Sequence, residues 1–168
     1  NWISDRLIQE VRTEAAQKVD RELELDIMGC DIDGRMVEIA KANAQAAGVS
    51  GDILFKQMRV QDLRTDKING VIISNPPYGK ALDFVEHSLG IVKEGAKVAM
   101  FLKILFLEGK KRKEFFEKHP PKVIYVASGR LNCAKNAEFD KYPSSAVCYA
   151  WFVWEKGFTG EPVIRWIN

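Results

Sequence analysis

No apolar run in this 168-residue chain approaches the roughly 20 residues that a membrane-spanning helix needs. The first residues, Asn1-Trp2-Ile3-Ser4-Asp5-Arg6, are already charged and amphipathic and lack the pattern of a signal peptide, so a cytoplasmic location is expected. Cysteine is scarce. Cys30, Cys133 and Cys148 are odd in number, far apart and without C-x-x-C spacing, which supports neither a disulfide framework nor a zinc site. His87 and His119 have no partner pattern and read as structural or surface groups. The formal net charge is only +2, so no global field attracts nucleic acid, and any such case rests on a local patch. Internal repeats and low-complexity stretches are also lacking. What remains is an ordinary composition, 46% hydrophobic and 29% charged, of a length that predicts one domain with a real core.

Alternating strands and helices argue for an α/β protein with a doubly wound, mostly parallel sheet. Residues 1–20 read as a helix capped by Ser4 or Asp5, with Leu7, Ile8, Val11, Ala15 and Val19 near one face. A strand rises through Leu25–Cys30 to Asp31, and a helix starts at Asp33 or Gly34 and stops at Gly48. A second strand, Ile53–Met58, leads to a loop carrying Asp62. After the Val71 strand come a helix at Leu82–Val92, a buried strand at Ala96–Lys103, a short basic helix at Glu108–His119 and a strand at Val123–Val126. A long polar stretch, Ser128–Ser145, separates that strand from the last one, Ala146–Trp154, and the lack of a crossover helix predicts an antiparallel C-terminal strand. Trp151, Trp154 and Trp166 read as core or edge packing.

The chain is organised around Val71-Ile72-Ile73-Ser74-Asn75-Pro76-Pro77-Tyr78-Gly79. The β-branched run predicts a strand covered on both faces. Two prolines then end the pairing, since neither has an N–H and each fixes φ near −65°, and Pro76 holds Asn75 extended. The result is a stiff corner at the carboxyl end of a strand, where open α/β sheets bind ligands. It presents one amide, two carbonyls and one aromatic face. These parts suit an exocyclic amino group of a nucleobase, whose lone pair is delocalised into the ring. The Asn75 side-chain oxygen and the Pro76 carbonyl could hold both N–H groups and favour pyramidal nitrogen, leaving the lone pair aimed at an electrophilic methyl. Positioning and electrostatics then replace a strong base. Tyr78 would stack on the base, worth about 1–3 kcal/mol. The plainer alternative is a strand-ending Pro-Pro turn with an exposed tyrosine.

Asn75-Pro76-Pro77-Tyr78 resembles the catalytic motif of S-adenosylmethionine-dependent amino-methyltransferases, which include adenine-N6 DNA methylases and guanine-N2 rRNA methylases. The resemblance implies a Rossmann-like methyltransferase fold, S-adenosylmethionine as cofactor, and Asn75, Pro76, Pro77 and Tyr78 as catalytic residues. It also implies cofactor contacts from Asp31 with Ile32, at a strand end where a carboxylate binds the ribose hydroxyls, and from Asp62 with Leu63, at the adenine amino group. The alternatives are a turn or capping aspartate at 31, as Asp33 illustrates, and a solvated loop carboxylate at 62.

Residues 1–79 resemble the rRNA guanine-N2 methyltransferases that carry a THUMP domain, through Gly29-Cys30-Asp31-Ile32-Asp33-Gly34-Arg35 and Phe55–Asp62. Residues 80–168 resemble small phage-type adenine DNA methylases, through Phe101–Lys113 and Tyr149–Gly157. The two resemblances meet at a candidate fusion point near 75–80 within one domain, residues 1–168. Both families place a Gly-rich loop after a first strand in the sheet centre, and this sequence has neither before residue 24. Loss of about 4 kcal/mol of cofactor contacts would weaken binding about a thousandfold.

Lys110-Lys111-Arg112-Lys113 is the one dense basic run, and with Lys135 in the 128–145 loop it is a candidate contact to DNA or RNA phosphates. Its plainer reading is a solvated helix face balanced by Glu108, Glu114 and Glu117. The expected function is methyl transfer to an exocyclic amine of a base, adenine N6 or guanine N2, in DNA or RNA. Two alternatives stand beside it: a non-catalytic fragment or chimera keeping the sheet, and a nucleic-acid-binding module. A missing central strand also points to a homo-oligomer formed by strand exchange.

Overall fold

A computed structural model describes residues 5–18, 20, 25–66, 70–129, 131 and 146–167. The chain divides into a first unit, residues 1–59, and a second, residues 60–168.

In the first unit, α1 (Asp5–Gln17) is held by ion pairs one turn apart, Arg6–Glu10 at 3.0 Å and Glu14–Lys18 at 2.6 Å. Each such pair is worth about 0.3–0.5 kcal/mol. Val11 and Ala15, expected on a packed face, are exposed, while Ser4 and Val19 lie outside the described residues. β1 (Ile27–Asp31) and β2 (Ile53–Gln57) pair in parallel, Asp31 opposite Gln57. Between them in sequence runs α2 (Gly34–Ala46), which packs on both strands and buries Val37 and Ala44. Its start is dictated locally: Asp33 is extended, and its carboxylate accepts from the Arg35 N–H at 2.9 Å. Past its end, Gly48 takes φ 73°, a conformation that stops the helix and that glycine adopts without strain.

The second unit carries β3 (Val71–Ser74), α3 (Ala81–Ile91), β4 (Lys97–Lys103), α4 (Lys110–Lys118), β5 (Val123–Ala127), β6 (Tyr149–Glu155) and β7 (Val163–Ile167). Their sheet order is β3-β4-β6-β5-β7. β3 and β4 are parallel, β6 runs antiparallel between β4 and β5, and β7 is parallel to β5. The antiparallel strand expected from the sequence is therefore present, but it sits inside the sheet. β7, which the sequence reading left unassigned, forms the edge, and it carries Trp166 exposed.

β4 alternates, and so does β6 from Ala150 onward. Val98, Met100, Leu102, Phe152 and Trp154 point to one face and are buried. α3 brings Ala81, Val85 and Leu89 to that face, and α4 brings Phe115. Each fully buried side chain of this size contributes about 1.5–3 kcal/mol. Lys156 Nζ donates to the Leu89 carbonyl at 2.7 Å, satisfying one of the groups left open near the end of α3. Ser88 is 0% exposed in this core, and its Oγ has no hydrogen-bond partner. Ser88→Ala removes that orphaned hydroxyl and improves helix propensity, so thermal unfolding should show a gain of about 1 kcal/mol.

The other face of the same sheet is open. Val71 is 55% and Ile73 67% exposed, and Ala99, Phe101, Trp151 and Val153 are half-buried. This corrects the expectation of a strand covered on both faces: α3 and α4 both pack on the face that carries Ile72. Among the described residues β1 has only β2 as a pairing partner and β3 has only β4, and the strands fall in two sheets.

Candidate active site

The corner after β3 forms as the prolines dictate. Pairing stops at Ser74, and Pro77 (φ −53°, ψ 120°) leads into a 3-10 turn, Tyr78–Lys80, which continues into α3. The Lys80 N–H donates to the Pro77 carbonyl at 2.8 Å and closes the turn. Pro76 is buried and anchors the corner, whereas Asn75 and Pro77 are exposed and Tyr78 is half-buried against the core. The amide of Asn75 is thus accessible at the carboxyl end of a parallel strand.

Tyr78 does not stand alone. Its ring centroid lies 6.0 Å from that of Tyr149, which stacks on Phe101 at 5.3 Å, and Phe101 in turn lies 5.2 Å from Trp151. Lys103 Nζ sits 4.9 Å from the Tyr78 ring centroid. Neither Tyr149 nor Lys103 was singled out from the sequence. Their signal is position alone: Lys103 ends an apolar run and Tyr149 lies within a later one, and only their register, Lys103 opposite Tyr149, brings them to this corner.

Asp62 ends a 3-10 turn, Val60–Asp62, that packs against α3, so it shares the second unit with the corner. Asp62 is exposed, and Leu63 beside it is buried. Asp31 and Ile32 belong to the first unit, at the carboxyl end of β1, and both are exposed. One oxygen of the Asp31 carboxylate accepts from the Asp33 N–H at 2.8 Å, which fixes its orientation and leaves the group open to solvent. Asp33 is instead engaged as the helix cap and in an ion pair with Arg35 at 2.6 Å. Hydrogen bonds from the Arg35 side chain and then its backbone hold the Asp33 carboxyl below its ordinary value. The cap's contribution is therefore present above the usual carboxylate range and is lost as pH falls through the lowered value. A shallow depression of about 290 Å³, lined by Leu25, Asp26, Ile27 and Asp52 among others, lies at the amino end of β1, away from Asp31.

Lys110, Lys111 and Arg112 form the first turn of α4, with no acidic residue in that turn. Cations there oppose the helix dipole. Lys110 and Lys111 are exposed, Arg112 lies 5.4 Å over the Phe106 ring, and Lys113 pairs with Glu117 at 3.4 Å. Lys135 and Cys133 lie outside the described residues.

Residues 2–98 match the family model described as RMKL-like, methyltransferase domain. Among curated proteins, the chain is 47% identical over 81 residues to "Putative RNA methyltransferase YpsC" of Bacillus subtilis (strain 168), covering 48% of this chain and 21% of that protein. It is 32% identical over 141 residues to the ribosomal RNA large subunit methyltransferase K/L of Shewanella sp. (strain W3-18-1), covering 77% of this chain and 19% of that protein. That second similarity runs across the 75–80 corner. The chain thus spans about a fifth of the length of these relatives. The crystal structure of SMU.472 complexed with SAH superposes with a TM-score of 0.55 at 28% identity, over 95% of this chain and 39% of that one. By its sequence and its Rossmann-like class I fold, the chain belongs to the family of RMKL-like methyltransferase domains.

Proposed function

We propose that residues 1–168 act as one S-adenosylmethionine-dependent methyltransferase domain that transfers a methyl group to an exocyclic amine of a nucleobase in RNA. The accessible amide of Asn75, on a corner anchored by buried Pro76 at the carboxyl end of β3, carries this reading. Asn75 and the Pro76 carbonyl accept from the amine, and Tyr78 stacks on the base. The acceptor is a guanine N2 or an adenine N6. RNA is favoured over DNA because YpsC and the K/L enzyme are named for RNA. The base must be single-stranded or flipped out, which costs a few kcal/mol in a duplex.

The fit to the cofactor is to its adenosine half. Asp31, oriented by the Asp33 N–H and open to solvent, is a carboxylate suited to a ribose diol, with Ile32 beside it. Asp62 and Leu63 supply an acceptor and an apolar surface for adenine. When bound, the cofactor supplies the electrophilic methyl. The residues of this chain hold and orient the amine. Lys110, Lys111 and Arg112 in the first turn of α4, and Lys135, supply phosphate contacts. A cytoplasmic enzyme fits free thiols and the lack of a long apolar helix among the described residues.

The test is transfer of labelled methyl from S-adenosylmethionine to ribosomal RNA and to DNA, with calorimetry for cofactor binding. Transfer to RNA is expected. A chain that binds no cofactor at millimolar concentration would overturn the reading. A second reading, a non-catalytic methyltransferase-like piece, is favoured by β3 pairing only with β4 among the described residues. The uncharged Val71–Ser74 edge also supports association by strand exchange between copies. Sedimentation velocity checks this, and a strict monomer at high micromolar concentration removes it.

A further inference from the structure

Lys103 is the last residue of β4, which runs parallel to β3 with Ser74 opposite Met100. It therefore stands at the same carboxyl end as the Asn75–Tyr78 corner. Its side chain is half-buried, with Nζ over the Tyr78 ring on one side, and its register partner is the buried Tyr149. Among the described residues no carboxylate lies within ion-pair distance of Lys103, although ion pairs such as Lys113–Glu117 and Lys122–Glu155 do form there. A cation–π contact is worth about 0.5–1 kcal/mol at an exposed site and does not neutralise the charge. A partly desolvated ammonium held beside a base-stacking ring is placed for an anion, and a base that stacks on that ring carries one with it.

We propose that Lys103 binds the backbone phosphate of the nucleotide whose base stacks on Tyr78, a contact that rests on the nucleobase reading of the corner. The Tyr78 ring holds the Lys103 Nζ at this corner, so the charge is placed before substrate arrives. This contact differs in kind from those of α4. Lys103 is half-buried with its Nζ over the Tyr78 ring, whereas Lys110 and Lys111 are exposed.

The experiment measures binding of a single-stranded RNA oligonucleotide by fluorescence anisotropy across a potassium chloride series, without cofactor, for the wild type, Lys103→Met and Lys103→Arg. Lys103→Met should bind about tenfold more weakly at low salt, the scale of one charge-assisted hydrogen bond. The slope of log affinity against log salt should fall by about 0.7, the loss of one phosphate contact to a single strand. Lys103→Arg should keep the slope. If Lys103→Met weakens binding with the slope unchanged, the lysine only positions Tyr78, and the phosphate contact is refuted. If it spares RNA binding but weakens S-adenosylmethionine binding in calorimetry, the anion is the cofactor carboxylate, and the proposal is equally refuted. The two readings fail separately: a chain that transfers no methyl but shows the slope change keeps the phosphate contact and loses the chemistry.

Discussion

Trp154→Ala is expected to destabilise the second unit by about 4 kcal/mol. Trp154 is 1% exposed, and its ring lies among those of Phe106, Phe115 and Phe152 at 6.5, 6.4 and 5.9 Å. Truncating a buried tryptophan costs about 3–5 kcal/mol through lost burial and the cavity left behind. The indole N–H also donates to the His119 carbonyl at 3.0 Å, tying the end of α4 to β6, and that acceptor is left open. Domains are stable by only about 5–15 kcal/mol, so much of the reserve is removed. With a urea m-value of about 2 kcal/mol/M, the unfolding midpoint should fall by about 2 M. Trp151 supplies the control. It lies three residues away on the open face of the same strand, half-buried against Phe101. Trp151→Ala should cost less than half as much. Equal losses at the two positions would mean that the open face is in fact packed in solution.

Asn75→Ala should lower methyl transfer by about 10²–10³-fold, roughly 3–4 kcal/mol, the scale for removing one preorganised hydrogen-bonding group aimed at a developing charge. Here the lost group is an acceptor for the amine, whose N–H bonds become more acidic as nitrogen attacks carbon. Asn75 is exposed, so unfolding should move by no more than about 0.5 kcal/mol. Cofactor affinity should be unchanged, because the cofactor contacts assigned to Asp31, Ile32, Asp62 and Leu63 do not include it. Tyr78→Ala should instead weaken substrate binding by about 1–3 kcal/mol, with Tyr78→Phe close to wild type. An Asn75→Ala protein with the parental rate would remove the amine-holding role and leave the corner as a turn.

Much of the local structure was legible because its causes are local. Asp33 caps α2 through the N–H two residues on, Gly48 ends the same helix at positive φ, and Pro76 and Pro77 end β3 wherever it lies. The strand at Ala96–Lys103 was legible from its apolar run, and the structure adds that Val98, Met100 and Leu102 are fully buried on one face. The exposure of Val71 and Ile73 was not legible. A β-branched run records what a strand is able to bury, and whether anything covers it depends on elements far off in the chain. β7 was missed for a related reason. Val163–Ile167 is five residues long and exposed throughout, so it carries no burial pattern, and it exists as a strand because β5 offers it an edge.

The sequence alone determined the chemistry on offer: a proline-locked corner with an amide and an aromatic ring, and a carboxylate at the end of an earlier strand. These are matters of residue type and short-range geometry, and no packing is needed to read them. Only the tertiary structure decided that β6 enters between β4 and β5, that Val71 and Ile73 of β3 are exposed, and that Lys103 and Tyr149 meet Tyr78. Strand pairing joins residues some 46 positions apart, as in Lys103 and Tyr149, and the choice among partners rests on the total burial of the sheet, which no single stretch of sequence encodes.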